Sequence, residues 1–466
     1  MTRREMLQQM MAAAAGILLS DRLAPALHAA GPRVAIVGGG FSGLAAAYEL
    51  SFAGADVTVF EARNRIGGRV LSFHDLVPGG HVEGGGELIG SNHPIWNRYK
   101  ERFKLSFLDI TEADVEAPIV LGGRRLTAAE SAQLWTDMDA ALSTLNADAA
   151  RIDDPFAPWL SPGAQDFDRR SLRSFIDALD TSPLCRQGIE AQMAADNGVR
   201  TAWQSYLGNI AMVKGGGIEK FWTDSEVFRC QGGNQQLASA LVTAIGPARV
   251  RLRTTVTAID VTRPVARVTL GDGSIIEADH VILAVPPPVW NRIAITPMLP
   301  AALAPQMGTN VKFLMAMKDR APWRTKGDLL SDGPASMTWE STLGQHTSGA
   351  AMVAFSGGAA ADQCRGWSAA ERTNRYLAAL EPSYRNIRAS FVKARFMDWP
   401  SDPWVKASYS FPAPGQVMTM GPLMAQAIGE RLHLAGEHTC PAFVGYMEGA
   451  LQSGVRTAAR IVPGKA

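Results

Sequence analysis

Three glycines, one acid and three arginines near the start of the chain have the types and the spacing to hold a dinucleotide. Gly38, Gly40 and Gly43 fit G-x-G-x-x-G. Such a turn uses glycine for its tightness, for close backbone approach to a pyrophosphate, and for packing the next helix against its strand. The free N–H groups opening that helix then face the anion. Glu61 ends the next apolar run, where a carboxylate accepts hydrogen bonds from ribose hydroxyls and disfavours a 2′-phosphate. Arg63, Arg65 and Arg69, with Gly67 and Gly68 between them, add a second glycine turn and three guanidinium groups. Those groups suit a diphosphate that carries a second, bulkier half. The layout points to bound FAD.

The elements needed to position these residues are legible around them. Residues 33–37 form a short apolar, β-rich run before the glycine turn, and residues 44–50 are helix-compatible. A second strand, 56–60, delivers Glu61. A glycine turn alone is common punctuation, but strand, turn, helix, strand and terminal acid together specify the dinucleotide unit. At the far end, 432–434 reads as a strand breaking into Ala435-Gly436-Glu437, and Gly445-Tyr446-Met447-Glu448-Gly449-Ala450 opens a helix running to about residue 461. Glu437 could also serve as a cap, and the Gly-Ala helix could simply pack closely.

Together these two signatures resemble the flavin-containing amine oxidases. The resemblance implies that Glu61 holds the FAD ribose and that Arg69 of the Gly67-Gly68-Arg69 segment lies beside the diphosphate and flavin. It implies that Glu437, after Gly436, bonds the ribityl chain. The helix opening at Met447 then aims its N-terminus, which carries about half a positive charge, at the flavin edge that becomes anionic on reduction. The backbone of Val256 would hold adenine.

The same resemblance assigns the chemistry. Lys312, the only charge among the apolar neighbours of 308–314, would bond a water next to flavin N5 and assist reoxidation by dioxygen. Read alone it is better taken as an edge-strand lysine, but Pro322-Trp323 keeps the family's spacing after it and reverses that reading. Trp399 would lie close to the flavin, whereas Trp404 reads as core. Tyr446 would form one wall of an aromatic cage around the substrate nitrogen, with Tyr409 in the substrate-side segment; a cage attracts an amine by cation–π interaction. Monoamine oxidase carries a covalently FAD-linked cysteine in the segment matching 407–409; no cysteine stands there, so non-covalent FAD is expected. Animal-type L-amino-acid oxidases place a carboxylate-binding arginine where Leu88 stands here. Glu87 would attract a cationic amine or act as a structural acid.

The implied activity is oxidation of an amine or L-amino acid to an imine, then to a carbonyl compound plus ammonia or an amine, with O2 reoxidising the flavin to give H2O2. Two alternatives stay open: an exported dehydrogenase passing electrons to a cytochrome-type acceptor protein, and a non-catalytic flavin-binding protein. A net charge of +1 and 47% hydrophobic residues suit a large enzyme and suggest no nucleic-acid or acidic-membrane partner. The four cysteines have no metal-ligand spacing and read as free or buried thiols. His74, His81, His93 and His438 read as packing or surface histidines.

Residues 1–30, with Arg3-Arg4 before a short apolar segment and an Ala-rich stretch, resemble a twin-arginine export signal that would deliver a folded protein to the periplasm or medium. Met6 departs from the usual phenylalanine, and the apolar run is too short to span a bilayer. The expected architecture is α/β: a discontinuous Rossmann-like FAD-binding domain of the glutathione reductase type (32–80, 227–290 and 426–463) and an α+β substrate-binding domain (81–226 and 291–425). The oligomeric state, a homodimer included, is not fixed by the sequence.

Overall fold

The computed structural model describes residues 31–111, 116–323 and 327–463; the expected export signal lies outside them. The first strand, Arg33–Val37, sits at the centre of an all-parallel five-stranded sheet. Asp56–Phe60 and Val250–Arg251 flank it on one side, His280–Leu283 and Leu432–Leu434 on the other. Three separate stretches of chain therefore meet in one sheet. Alternate residues of a strand face opposite ways, and both faces here are covered: Val34 and Ile36 enter one core, Ala35 and Val37 another. That double burial explains why the strand reads as continuously apolar.

The first core holds the nucleotide helix Phe41–Phe52, the helix Gln235–Ile245 and the closing helix Met447–Ile461. It also holds Pro94–Phe103, which the sequence grouped with the substrate-binding part. Ile95, Trp96 and Tyr99 fall on one face of that helix and are buried, and the amides of Ile95 and Trp96 donate to the buried Glu448 carboxylate at the start of the closing helix. The second core lies under a four-stranded sheet containing Val256–Asp260 and the hairpin Ala266–Leu270/Ile275–Ala278, which turns at Asp272-Gly273.

The other half is a seven-stranded sheet backed by helices. Within it the strand Asn310–Met317 pairs antiparallel with Ala350–Gly357 and with the edge strand Phe391–Asp398. Val311, Phe313, Met315 and Met317 face one core. Leu314 and Ala316 face the other, against Val82, and strand alternation puts Lys312 on that same side, toward residues 83–87. Among the described residues no helix is long and apolar enough to cross a membrane.

Candidate active site

A cleft with about 1290 Å³ of empty space, its open mouth included, runs from the glycine turn to the start of the closing helix. Gly38 has φ +112°, a left-handed conformation, and a Cβ there would lie 2.7 Å from the Ala284 carbonyl oxygen. Gly43 does not line the cleft. A Cβ on it would sit 2.0 Å from the Gly38 carbonyl oxygen, so its role is to let helix and turn touch. The second glycine turn docks on the first, with the Gly67 amide donating to the Gly39 carbonyl at 2.9 Å. Glu61 accepts from the Gly39 amide at 2.8 Å and the Arg63 amide at 2.9 Å, which fixes its carboxylate at the cleft wall with lone pairs to spare.

The arginines correct the expectation of three guanidinium groups for one diphosphate. Arg63 makes a two-pronged ion pair with Asp402, and Arg65 donates to the carbonyls of Ile66 and Gly68 without lining the cleft. Arg69 pairs with Glu437 at 3.0 Å and also donates to the Ser408 carbonyl. Positive character for an anion comes instead from the amides opening the nucleotide helix, as a helix N-terminus supplies. Ser42 lies there, its hydroxyl buried and without a partner, and His438 lines the cleft with both ring nitrogens buried and unpaired. Burial holds the His438 imidazole down at about 4, so it is neutral at neutral pH. It is a cleft residue rather than the packing histidine expected. Orphaned buried groups of this kind call for a ligand, and a long cleft with a phosphate-ready turn at one end fits FAD. Val256, Gly436, Glu437 and Met447 line it as expected.

Glu437 is the polar hub of the far end. Its carboxylate accepts from Ser410 Oγ at 2.7 Å and the Gly445 amide at 3.0 Å, besides Arg69. Burial alone would raise this carboxyl, but Arg69, His438 and Ser410 outweigh it and hold it below its ordinary range. Tyr446 caps the closing helix, and Tyr446 and Tyr409 both line this end of the cleft. The Tyr409 ring lies against Gly445, and its hydroxyl donates to the Asp196 carbonyl.

Behind the tyrosines lies a buried charge cluster. Lys312 Nζ contacts Glu87 Oε2 at 2.7 Å and the Gly85 carbonyl at 2.8 Å, over the face of Trp339. Arg229 Nε is 2.9 Å from Glu87 Oε1, an ion pair without hydrogen-bond geometry, and Ser341 Oγ donates to the same oxygen. Burial would push Glu87 up, yet Lys312 and Arg229 hold it at about 2. Glu87 is thus spent on two protein cations and is not open to attract an amine. Nearby Glu83, accepting from Ser72 Oγ and the Asn234 amide, is pushed up to about 8 by burial. Leu88 is half-buried and outside the cleft lining.

The tryptophans exchange roles relative to expectation. Trp399 donates to the Gly84 carbonyl at 2.9 Å and backs the same turn that Lys312 grips. Trp404 is the one that lines the cleft, because the Asp402–Arg63 pair holds its loop against the cofactor wall. Residues overlooked in the sequence are Arg229, Asp196 and Glu226. Arg229 carried a signal, a lone charge between Phe228 and Cys230 in a strand. The two acids carried none. All four cysteines are free, and none lines the cleft; no group of potential metal ligands exists among the described residues.

Comparison with known proteins agrees with this site. Residues 41–462 match the family described as flavin containing amine oxidoreductase. Human flavin-containing amine oxidase B is 26% identical, over 92% of this chain and 86% of its own. The (S)-6-hydroxynicotine oxidase of Paenarthrobacter nicotinovorans is 28% identical, over 90% and 96%. A putrescine oxidase structure superposes with a TM-score of 0.84 at 26% identity, covering 93% of this chain and 99% of that one. The chain belongs to the flavin containing amine oxidoreductase family, as a FAD-dependent oxidoreductase acting on amines.

Proposed function

We propose that the protein oxidises the C–N bond of an amine to an imine, which hydrolyses to a carbonyl compound and ammonia or an amine, and that dioxygen reoxidises the cofactor to give H2O2. The observation that carries this reading is the pair Tyr409 and Tyr446 at the end of the cleft where the closing helix begins. FAD, held non-covalently, supplies the two-electron acceptor. Arg69, Glu437 and the Gly445 amide fix the wall beside it. The tyrosine rings bracket the substrate nitrogen, offering π faces to a cation, while the dry surroundings favour the neutral, oxidisable amine. Lys312 places a positive charge beyond them, where it would assist reduction of dioxygen. An amine fits better than an L-amino acid, since Leu88 offers no carboxylate anchor. The (S)-6-hydroxynicotine and putrescine oxidases among the similar proteins are oxidases by name, which supports the oxygen half of the reading.

Anaerobic mixing of the holoenzyme with a panel of amines and L-amino acids tests it. Bleaching by amines, followed by rapid recovery and H2O2 release in air, is expected. No bleaching by any member sinks the reading; bleaching with slow recovery in air would assign the electrons to an acceptor protein instead. Export by a twin-arginine route belongs to the same proposal and rests on Arg3-Arg4 and the apolar segment behind them. Fractionation of cells expressing a chain with both arginines replaced by lysine should find the protein retained inside.

A further inference from the structure

Among the described residues Arg229 is the only fully buried arginine, 2% exposed. It sits on the short strand Phe228–Cys230, whose other two side chains turn toward the core of the nucleotide helix. Strand alternation sends Arg229 to the opposite side, against Glu87. A guanidinium taken out of water is costly, so what it meets there decides what it does.

Hydrogen bonding does not explain its place. Nε lies 2.9 Å from Glu87 Oε1 without hydrogen-bond geometry, and both Nε and Nη1 are buried without an acceptor. Glu87 is held directionally by others, Lys312 Nζ at 2.7 Å and Ser341 Oγ at 2.9 Å. Lys312 and Glu87 alone would make a neutral pair. What Arg229 adds is charge: two cations on one carboxylate leave one net positive charge. The surrounding groups do not cancel it. Glu83 accepts from Ser72 and Asn234, makes no ion pair among the described residues, and is kept protonated by burial, its carboxyl pushed up to about 8. Burial pushes the His81 imidazole down, so it is neutral. Glu226 feels Lys312 from a distance and is an exposed side chain.

This charge stands one residue behind the cleft. Lys312 Nζ grips the Gly85 carbonyl at 2.8 Å, and Gly86, next in the chain, is part of the cleft lining. A Cβ on Gly86 would lie 2.8 Å from Met447 Cγ, so the turn touches the start of the closing helix. FAD that takes up two electrons and one proton gains one negative charge. A fixed positive charge in dry surroundings favours that anionic form over the neutral oxidised one.

We propose that Arg229 sets the charge felt by the flavin: by offsetting Glu87 it leaves the field of Lys312 uncancelled at the cleft, and so raises the midpoint potential of bound FAD. Arg229 acts through Glu87 and Lys312 and is a positioning residue. The inference rests on bound FAD and is independent of which amine is oxidised.

Photoreduction of the holoprotein against reference dyes, with no amine present, measures the potential. Titration with sulfite, which adds to oxidised flavin and leaves the ring anionic, gives a second readout. R229Q should lose about tenfold in the preference for reduced over oxidised flavin, which for a two-electron couple is a fall of about 30 mV, and sulfite should bind more weakly. R229K restores the charge and should lie near the wild type. E87Q removes the negative partner and should shift both readouts the opposite way. The double variant R229Q with E87Q again leaves one net charge and should return near the wild type. Loss of a structural brace would instead move every variant in one direction. Flavin content reports that each variant has folded. An unchanged potential in R229Q, or shifts of the same sign in R229Q and E87Q, overturns the inference. Should neither single variant hold flavin, a double variant or R229K whose potential falls by about 30 mV overturns it. Failure of every amine to bleach the flavin would sink the oxidation reading and leave these measurements standing.

Discussion

The two walls of the cleft handle charge in opposite ways. On the cofactor wall every acid is met by the protein itself, Glu61 by two backbone amides and Glu437 by an arginine, a serine and another amide. Near the tyrosine end Asp196 and Glu226 are exposed side chains outside the lining of the cleft. A wall that satisfies its own polar groups is rigid before any ligand arrives, which is how a site holds geometry. The Lys312–Glu87–Arg229 cluster lies between, charged throughout yet internally paired.

The contrast breaks most completely at Gly43. With a Cβ only 2.0 Å from the Gly38 carbonyl, Gly43→Val must displace the turn that carries the phosphate-facing amides. Purified protein is expected to hold no flavin, read from the absorption ratio at the flavin and protein bands; normal flavin content would show that the turn tolerates displacement.

Next in size is Glu87→Gln, which leaves Lys312 and Arg229 buried with one neutral amide between them. Breaking a buried pair in this way costs about 3–5 kcal/mol, measured by denaturant unfolding of the holoprotein. The sign of its pH dependence also follows. The folded Glu87 carboxyl titrates at about 2 against 4.5 ordinarily, so its contribution is complete above about 4.5 and is lost as pH falls toward 2. Glu83 runs the other way. Raised from 4.5 to about 8 by burial, it favours the folded state at low pH and loses that contribution as pH rises through 8. Glu87→Gln should therefore flatten the profile between about pH 2 and 4.5, and Glu83→Gln between about 4.5 and 8.

Legibility in the sequence divides along the same line. The cofactor wall is built from backbone geometry within a few residues of each motif, so Gly38, Gly40, Glu61 and the helix opening at Met447 could be read from spacing, as could the strand Arg33–Val37 and the hairpin at Asp272-Gly273. What failed there depended on distant partners: Arg63 looked free for phosphate because Asp402 is 339 positions away. The substrate wall is assembled almost wholly from such distant pairs. Asp196 and Glu226 sit thirty positions apart by number on separate elements, with no periodicity or motif around either, and Glu87 could be told from a substrate anchor only once Arg229 and Lys312 were seen beside it. Trp399 and Trp404 were exchanged for the same reason, since five residues of loop cannot say which ring turns toward the cleft.

Lys312→Met sharpens the middle term of the comparison. The long apolar side chain fills the same space against Trp339 and removes the charge, leaving Glu87 to Arg229 and Ser341. If the ammonium serves oxygen reduction, reoxidation should slow by about a hundredfold, the order seen when one preorganised electrostatic group is removed, while anaerobic reduction by amine changes far less. Equal slowing of both half-reactions would make Lys312 a support for the turn at residues 83–85, whose carbonyls it grips at Gly85, and nothing more.

The smallest change separates the two things Tyr446 does. Its ring lines the cleft and its hydroxyl donates to Glu226; Tyr446→Phe keeps the first and removes the second. Losing one hydrogen bond to a charged group costs about 1.5–3 kcal/mol when both partners are buried, but Glu226 is open to water that can replace the donor, so a few-fold loss in kcat/KM is expected. A loss of about a hundredfold or more would instead place the hydroxyl with the reacting nitrogen.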